Sequence, residues 1–350
     1  MQRVALVLAD LYLHSDGQPS RGVSPVELPA LATLLRYATP QLRCSDWRHW
    51  LSQTLGVAAQ APSVVAANSV AGAVDGTVAD VDRATTWVAT PVHLQAQLSH
   101  VQLSEQGLLR LEADEQAELV CDFARFFGPQ LSLSATSPRD FLLAGLAAKD
   151  VLTRDPARLL GNDIRGHLPQ GGDATRLRSL ASEFELWLHS HAVNEERRVR
   201  RLPTISTLWL WGNTAPRSTA TPSKDRSTRE TWVSDNTSLF GDDGYTCGIA
   251  ASAGLRPVAA PPENWRSLEA AVALSAAAIV VLWPLSSARE GLTAFESQWF
   301  EPALAALQSG RITELVLLAN DRTFSVRRRD LWKWWRSRQT WFARLSADQP

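Results

Sequence analysis

Residues 4–10 read VALVLAD. The run carries no polar residue before its last position, so it does not alternate as a half-exposed strand does. It reads as a strand buried on both faces, the pattern of a parallel sheet, with Asp10 delivered to the C-terminal edge. Two later runs repeat the pattern, Ala278 to Leu282 (AIVVL) and Glu314 to Leu318 (ELVLL). Helical spacing fills the intervals. Leu28, Leu31, Leu34 and Leu35 mark a helix from Pro25 to Ala38, with Pro29 in its first turn. Ala117, Val120, Phe123, Ala124 and Phe127 form one face of a helix from Ala113 to Phe127. Further helices are expected over Ala174–His191, Glu263–Ala273, Ala294–Leu307 and Asp330–Leu345, and strands at Thr86–Ala89 and Ile205–Trp211. Buried strands alternating with helices predict an α/β three-layer sandwich around a central, mainly parallel sheet. One domain over residues 1–350 is expected, with no internal repeat. Ser63 to Thr86 is small, polar and glycine-containing and reads as loop. Residues 213–231, NTAPRSTATPSKDRSTRET, hold no large apolar side chain and read as a mobile loop or linker.

The bulk properties narrow the function. A formal net charge of −1 over 350 residues offers no argument for nucleic acid as a partner. Cys44, Cys121 and Cys247 make no CxxC pair and read as reduced thiols. The N-terminal apolar run is too short for a signal peptide, and Ala270 to Leu285 is interrupted by Ser275 and Pro284, so a cytoplasmic protein without a membrane span is expected. No Walker loop, GxGxxG after a strand, GxSxG elbow or HExxH occurs.

Polar chemistry concentrates in Glu183 to Gly212, EFELWLHSHAVNEERRVRRLPTISTLWLWG. Carboxylates, two histidines, an Asn-x-x-Arg and three tryptophans flank one helix-to-strand transition. That is the composition of a ligand-lined wall, and equally of a packed helix pair with one solvated face. His189 and His191 lie two residues apart, so on a helix they cannot clamp one ion as an i, i+4 pair does. A zinc site there would need a third ligand from elsewhere, such as His93 or Asp10. Glu183, Asn194 and Arg197 form either an anion-binding set, with an arginine fork for phosphate or carboxylate, or a capped and salt-bridged helix end. Asp10 is a metal ligand or base at a sheet edge, or a turn cap.

The C-terminal stretch from Arg327 to Arg344 holds seven basic residues against one Asp, interleaved with Trp332, Trp334, Trp335 and Trp341. It reads as a basic, tryptophan-rich closing helix within residues 327–350. Its tryptophans dock on the body while the arginines snorkel, or the whole segment binds single-stranded nucleic acid or an anionic membrane surface.

Several of these segments together resemble a bacterial family of phosphoglycerate mutase-like, RpfE-type regulatory proteins. They are LPALATLLRYA, WVATPVHL, Leu168 to Gly171, ELWLHSHAVNEER, ISTLWLWG and RDLWKWWR. The resemblance spans nearly the whole chain and is most specific in the HxVNxxR-to-LWLWG block. It implies a distant relation to cofactor-independent phosphoglycerate mutases and an alkaline phosphatase-like core, where two divalent ions such as Mn or Zn assist phosphoryl transfer to a Ser or Thr. Asp10 matches the family's first metal Asp. The expected Asp-x-x-x-His falls on WPLSSAREG, which has neither residue, and the expected Asp-His falls on Asp321-Arg322. All seven histidines lie at or before His191. The resemblance leaves Asp10 and Asp321 as an oxygen-only ion site and Thr90, where the related group carries Asp, as candidate nucleophile. Asn213-Thr214 stands where the family has Gly-Gly.

Two functions are therefore expected. One is a non-catalytic, cofactor-free binding or regulatory protein for an anionic ligand, a phosphate or carboxylate, using His93, Glu183, Asn194, Arg197 and Arg322. The alternative is an active metal-dependent mutase or phosphomonoesterase, with ligands drawn from Asp10, Asp321, His93, His189 and His191. A scaffold acting through the basic tail stands behind both.

Overall fold

The computed structural model describes residues 3–13, 26–40, 46–71, 85–214, 237–255, 258–272, 276–287, 292–333 and 335–346. In chain order the strands and helices are β1 (Arg3–Leu8), α1 (Pro29–Tyr37), β2 (Thr39–Pro40), α2 (Trp47–Thr54), α3 (Pro62–Ala71), β3 (Trp87–Ala96), β4 (Val101–Leu108) and α4 (Ala113–Phe127). There follow β5 (Ser132–Ser137), β6 (Asp140–Ala144), β7 (Val151–Leu152), β8 (Gln170–Gly171), α5 (Ala174–His189), α6 (Ala192–Val199), β9 (Thr207–Trp211), β10 (Thr237–Phe240) and α7 (Gly244–Ser252). The chain continues through α8 (Trp265–Ala271), β11 (Ala277–Leu282), α9 (Pro284–Ser287), α10 (Leu292–Phe295), α11 (Glu301–Ser309), β12 (Glu314–Ala319), β13 (Arg322–Arg327) and α12 (Trp341–Ser346). Among the described residues no helix is long and apolar enough to cross a membrane.

The chain divides into two compact units where one domain was expected. Unit 1 comprises residues 1–59, 216–241 and 255–350, and unit 2 comprises 60–215 and 242–254. The physical reason is that two sheets each gather a hydrophobic core of their own. In unit 1 the sheet order is β10-β11-β1-β12-β13-β2. Its first four strands are parallel, with Ala5 of β1 in register with Ile279 of β11 and Val316 of β12. Strands β11 and β12 are buried at every position, as uninterrupted aliphatic runs must be when helices cover both faces. The parallel arrangement sends Asp10, the β11–α9 junction and the β12–β13 turn to one carboxyl edge.

Helix α1 starts at Pro29, not Pro25, because proline is favoured where the backbone N–H is unused anyway. It has no side-chain cap of its own. Instead the buried Glu296 accepts from the backbone N–H groups of Ala30 and Leu31. Glu296 sits in a π-helical turn, Glu296–Phe300, that interrupts the helix expected over Ala294–Leu307. Burial raises its carboxyl above the ordinary range despite those two bonds.

Unit 2 is built on an all-antiparallel sheet, β4-β3-β6-β5 with β9 also paired to β3. Residues 63–71, read from the sequence as loop, belong to helix α3. It packs on α7 where Gly248 gives room, since a Cβ there would lie 1.8 Å from the Val65 carbonyl oxygen. The rest of that expected loop, residues 72–84, and nearly all of the 213–231 linker lie outside the described residues.

Helix α4 has the expected ends but another register. Its buried residues are Glu115, Gln116, Leu119 and Phe123, while Ala117 and Ala124 are exposed. The C-terminal segment is also not one helix. A short 3-10 turn (Arg328–Trp332) gives way to irregular chain before α12. Trp341 is buried there, with its Nε1 donating to the Val26 carbonyl at 2.9 Å. Trp332 and Trp335 are instead 79% and 66% exposed, and Trp334 lies outside the described residues.

Candidate functional site

The 183–212 stretch does line a cavity, in part through Asn194, which the sequence nominated, and otherwise through its neighbours. Helix α5 ends at His189, and His191 caps α6 by accepting from the Val193 N–H at 3.2 Å. Asn194 then ties the corner together. Its Nδ2 donates to the carbonyls of Leu188 (2.8 Å) and Ile205 (2.9 Å), and its Oδ1 accepts from Ile205 N–H at 2.8 Å. Arg197 donates to the Pro203 carbonyl at 2.7 Å and, through a second nitrogen, to buried Glu115 at 2.8 Å. Asn194 and Arg197 are thus occupied in holding α5, α6, α4 and the start of β9. These are the contacts of a capped, salt-bridged helix end.

This scaffold walls a cavity of about 540 Å³ in unit 2, a size suited to a small molecule. Leu94, Val101, Ile164, Leu168, Pro169 and Leu208 supply apolar lining. The polar groups come mainly from α5, where Arg178, Ser182, Glu185 and His189 follow at i, i+4, i+7 and i+11 and so form one stripe. The opposite face of α5, with Leu177, Leu180, Phe184 and Leu188, is in the core. Arg165 and Arg198 complete the polar rim.

The rim cations are not equivalent. Arg165 is held by Asp163 at 2.6 Å, and that arginine pulls the Asp163 carboxyl down to about 2. Arg198 is engaged by Glu195 and by the His189 carbonyl. Arg178 donates only to the Thr175 hydroxyl, at 3.2 Å, and faces no carboxylate among the described residues. Glu185 follows Arg178 two turns along the same stripe, and desolvation raises its carboxyl.

The other nominated residues occupy separate places. His93, on β3, bonds through Nδ1 to the Thr204 carbonyl at 2.8 Å. Glu183 is exposed on α5. Thr90 donates to Asp140 at 2.6 Å and accepts from Trp211 Nε1 at 2.9 Å, and it is 5% exposed. A hydroxyl beside a carboxylate is the geometry of an activated nucleophile, but here it is enclosed between β3, β6 and β9. In unit 1, Asp10 accepts from the backbone N–H groups of Leu285 (3.2 Å) and Ser286 (2.8 Å) and from the Ser286 hydroxyl. Asn320 and Asp321 have φ of 50° and 56°, the left-handed pair of a tight hairpin turn between β12 and β13. The Asn320 N–H donates to the Leu11 carbonyl, placing that turn at the same carboxyl edge as Asp10. Arg322 is buried as the first residue of β13. Among the described residues no group of three His, Cys, Asp or Glu converges to hold a metal ion.

One further cluster was not legible in the sequence. Asp140, Asp242 and Asp243 are buried around the start of α7, with Asp242 paired to Arg139 at 2.7 Å and to Arg110 at 3.2 Å. Burial first, and then these three carboxylates, push the nearby Cys247 thiol up to about 12. At pH 8 such a thiol holds roughly one part in ten thousand as reactive thiolate. Maleimide is therefore expected to label exposed Cys121 in the folded protein and to leave Cys247 unmodified until denaturation. Equal labelling rates would contradict this arrangement.

No family model matches the sequence, and no curated protein is similar to it. Among solved structures, the cofactor-independent phosphoglycerate mutase from Thermoplasma acidophilum DSM 1728 is similar with a TM-score of 0.35 and 15% identity, over 93% of this chain and 89% of that one. The PH0037 protein from Pyrococcus horikoshii is similar with a TM-score of 0.41 and 14% identity, over 93% and 87%. Similarity at this level assigns neither a site residue nor an activity to this chain.

Proposed function

We propose that the protein is a non-catalytic binding protein whose unit 2 cavity takes a small amphipathic anion, with an apolar body and one carboxylate or phosphate head. The observation that carries this is Arg178, a guanidinium without a carboxylate partner among the described residues, set at an apolar cavity of about 540 Å³. A planar fork of donors suits either head group. The donor set in unit 1 speaks against a two-ion phosphotransfer centre. Asp10 is committed to the Ser286 backbone and hydroxyl, Asp321 to a hairpin turn, and Arg322 stands where the resemblance calls for His.

Calorimetric titration with octanoate, decanoate and octyl phosphate tests the reading. Two added methylenes are expected to tighten binding roughly tenfold, from about 0.8 kcal/mol for each buried CH₂. Arg178→Gln is expected to weaken the anions roughly 10- to 100-fold while leaving octanol unaffected. Absence of chain-length dependence, or an Arg178→Gln variant that binds normally, refutes the cavity assignment. Sustained phosphatase or mutase turnover with stoichiometric bound metal refutes the non-catalytic role.

A further inference from the structure

A second cavity, of about 340 Å³, lies in unit 1 and is lined by Arg36, Arg336, Ser337, Gln339 and Arg344. Among the described lining residues three are cationic and none is acidic. Its geometry is set by the C-terminus of α1. One terminal nitrogen of Arg336 donates to the Tyr37 carbonyl at 2.8 Å and to the Ala38 carbonyl at 2.5 Å, groups that a helix end leaves without partners. Arg36 Nε returns a bond to the Arg336 carbonyl at 2.8 Å. The two arginines therefore hold each other in place before any ligand arrives. Arg344 is brought in by α12, which docks through buried Trp341 and Leu345.

Arg344 is the informative member. Its Nε is enclosed and has no hydrogen-bond partner among the described residues. Burial, and then the neighbouring Arg336 charge, lower its pKa, so the folded chain places this cation where its charge is disfavoured. Like charges gathered in a partly enclosed space repel, and a bound anion turns that repulsion into attraction. Arginine forks and the Ser337 and Gln339 side chains together offer more donors than a carboxylate's two oxygens can use. A tetrahedral anion with three or four acceptor oxygens matches them better.

We propose that Arg36, Arg336 and Arg344 form a binding site for a phosphate group, separate from the unit 2 cavity and independent of its ligand. The group belongs either to a soluble phosphate compound or to a lipid headgroup. The second source is raised by exposed Trp332 and Trp335 in the preceding segment, since amphipathic rings favour a membrane interface.

The test uses the full chain and three probes: pyrophosphate by calorimetry, and sedimentation with phosphatidylcholine vesicles that contain or lack phosphatidic acid. Arg344→Gln removes the cation whose Nε has no hydrogen-bond partner among the described residues, and Arg344→Lys keeps its charge without the fork. Arg178→Gln serves as the control for the other cavity. Pyrophosphate binding that falls roughly 10- to 100-fold in Arg344→Gln, less in Arg344→Lys and not at all in Arg178→Gln supports the site with a soluble source. Binding confined to phosphatidic acid vesicles, with the same ranking of variants, supports it with a lipid source. Should Arg344→Gln fail to fold, the wild-type measurements and Arg344→Lys still decide. Failure of both probes to bind wild type, or equal binding by the Arg344 variants, overturns the proposal.

Discussion

Arg197→Ala is expected to destabilise unit 2 by about 3–5 kcal/mol, the cost of leaving a buried charge without its partner. The Arg197 and Glu115 side chains are 4% and 7% exposed and meet at 2.8 Å. Glu115 also accepts from the Glu112 N–H at 2.8 Å, so it cannot turn to water without opening the first turn of α4. Arg197 likewise satisfies the Pro203 carbonyl, which no strand pairing covers. Urea denaturation of the variant should show an earlier midpoint at unchanged slope. A matched pair, Arg197→Met with Glu115→Leu, should recover much of the loss, because an apolar pair of similar volume carries no desolvation penalty. An unchanged midpoint in Arg197→Ala would mean that the arginine is free for a ligand after all.

Phe123→Ala is expected to cost a similar amount, about 3–5 kcal/mol, through lost burial and the cavity left behind. Phe123 is fully buried, stacks on Phe127 at 4.5 Å between ring centroids and meets Trp187 edge-on at 5.7 Å. Its value as a test lies in its neighbour. The apolar pattern of the sequence puts Phe123 and Ala124 on one buried face, whereas the fold exposes Ala124. Ala124→Glu should therefore change stability by no more than about 0.5 kcal/mol. Comparable losses in both variants would restore the register read from the sequence.

That register shows why sequence reasoning stopped where it did. Counting apolar residues selects Ala117, Val120 and Ala124, since Glu115 and Gln116 look like surface. Both are buried because remote chain satisfies them: Arg197 supplies the charge for Glu115, and the Ser137 carbonyl accepts from Gln116. The same blindness affected the site. Of Glu183, Asn194 and Arg197, Asn194 lines the cavity, whose charged groups are Glu185, Arg165, Arg178 and Arg198. The polar stripe at 178, 182, 185 and 189 was legible as helical spacing, but a solvated helix face carries the same pattern. The arginines of the C-terminal segment were read as a basic helix, yet it is the carbonyls at the end of α1, some 300 positions earlier, that fix Arg336.

The sequence by itself determined the strands β1, β11 and β12 and their burial, because an uninterrupted aliphatic run is stable only with both faces covered. It also determined the ends of α4 and the concentration of chemistry in residues 183–212. Tertiary structure alone decided which polar groups are already used. Asn194, Arg197 and Asp10 read as candidate ligands and Thr90 as a candidate nucleophile, and all four are bonded to backbone or side-chain partners brought together by the fold. Arg178 and Arg344 meet no carboxylate among the described residues. The reason is physical. A hydrogen bond spends a donor only once, and which partner takes it depends on contacts that close through space, which no local pattern of residues records.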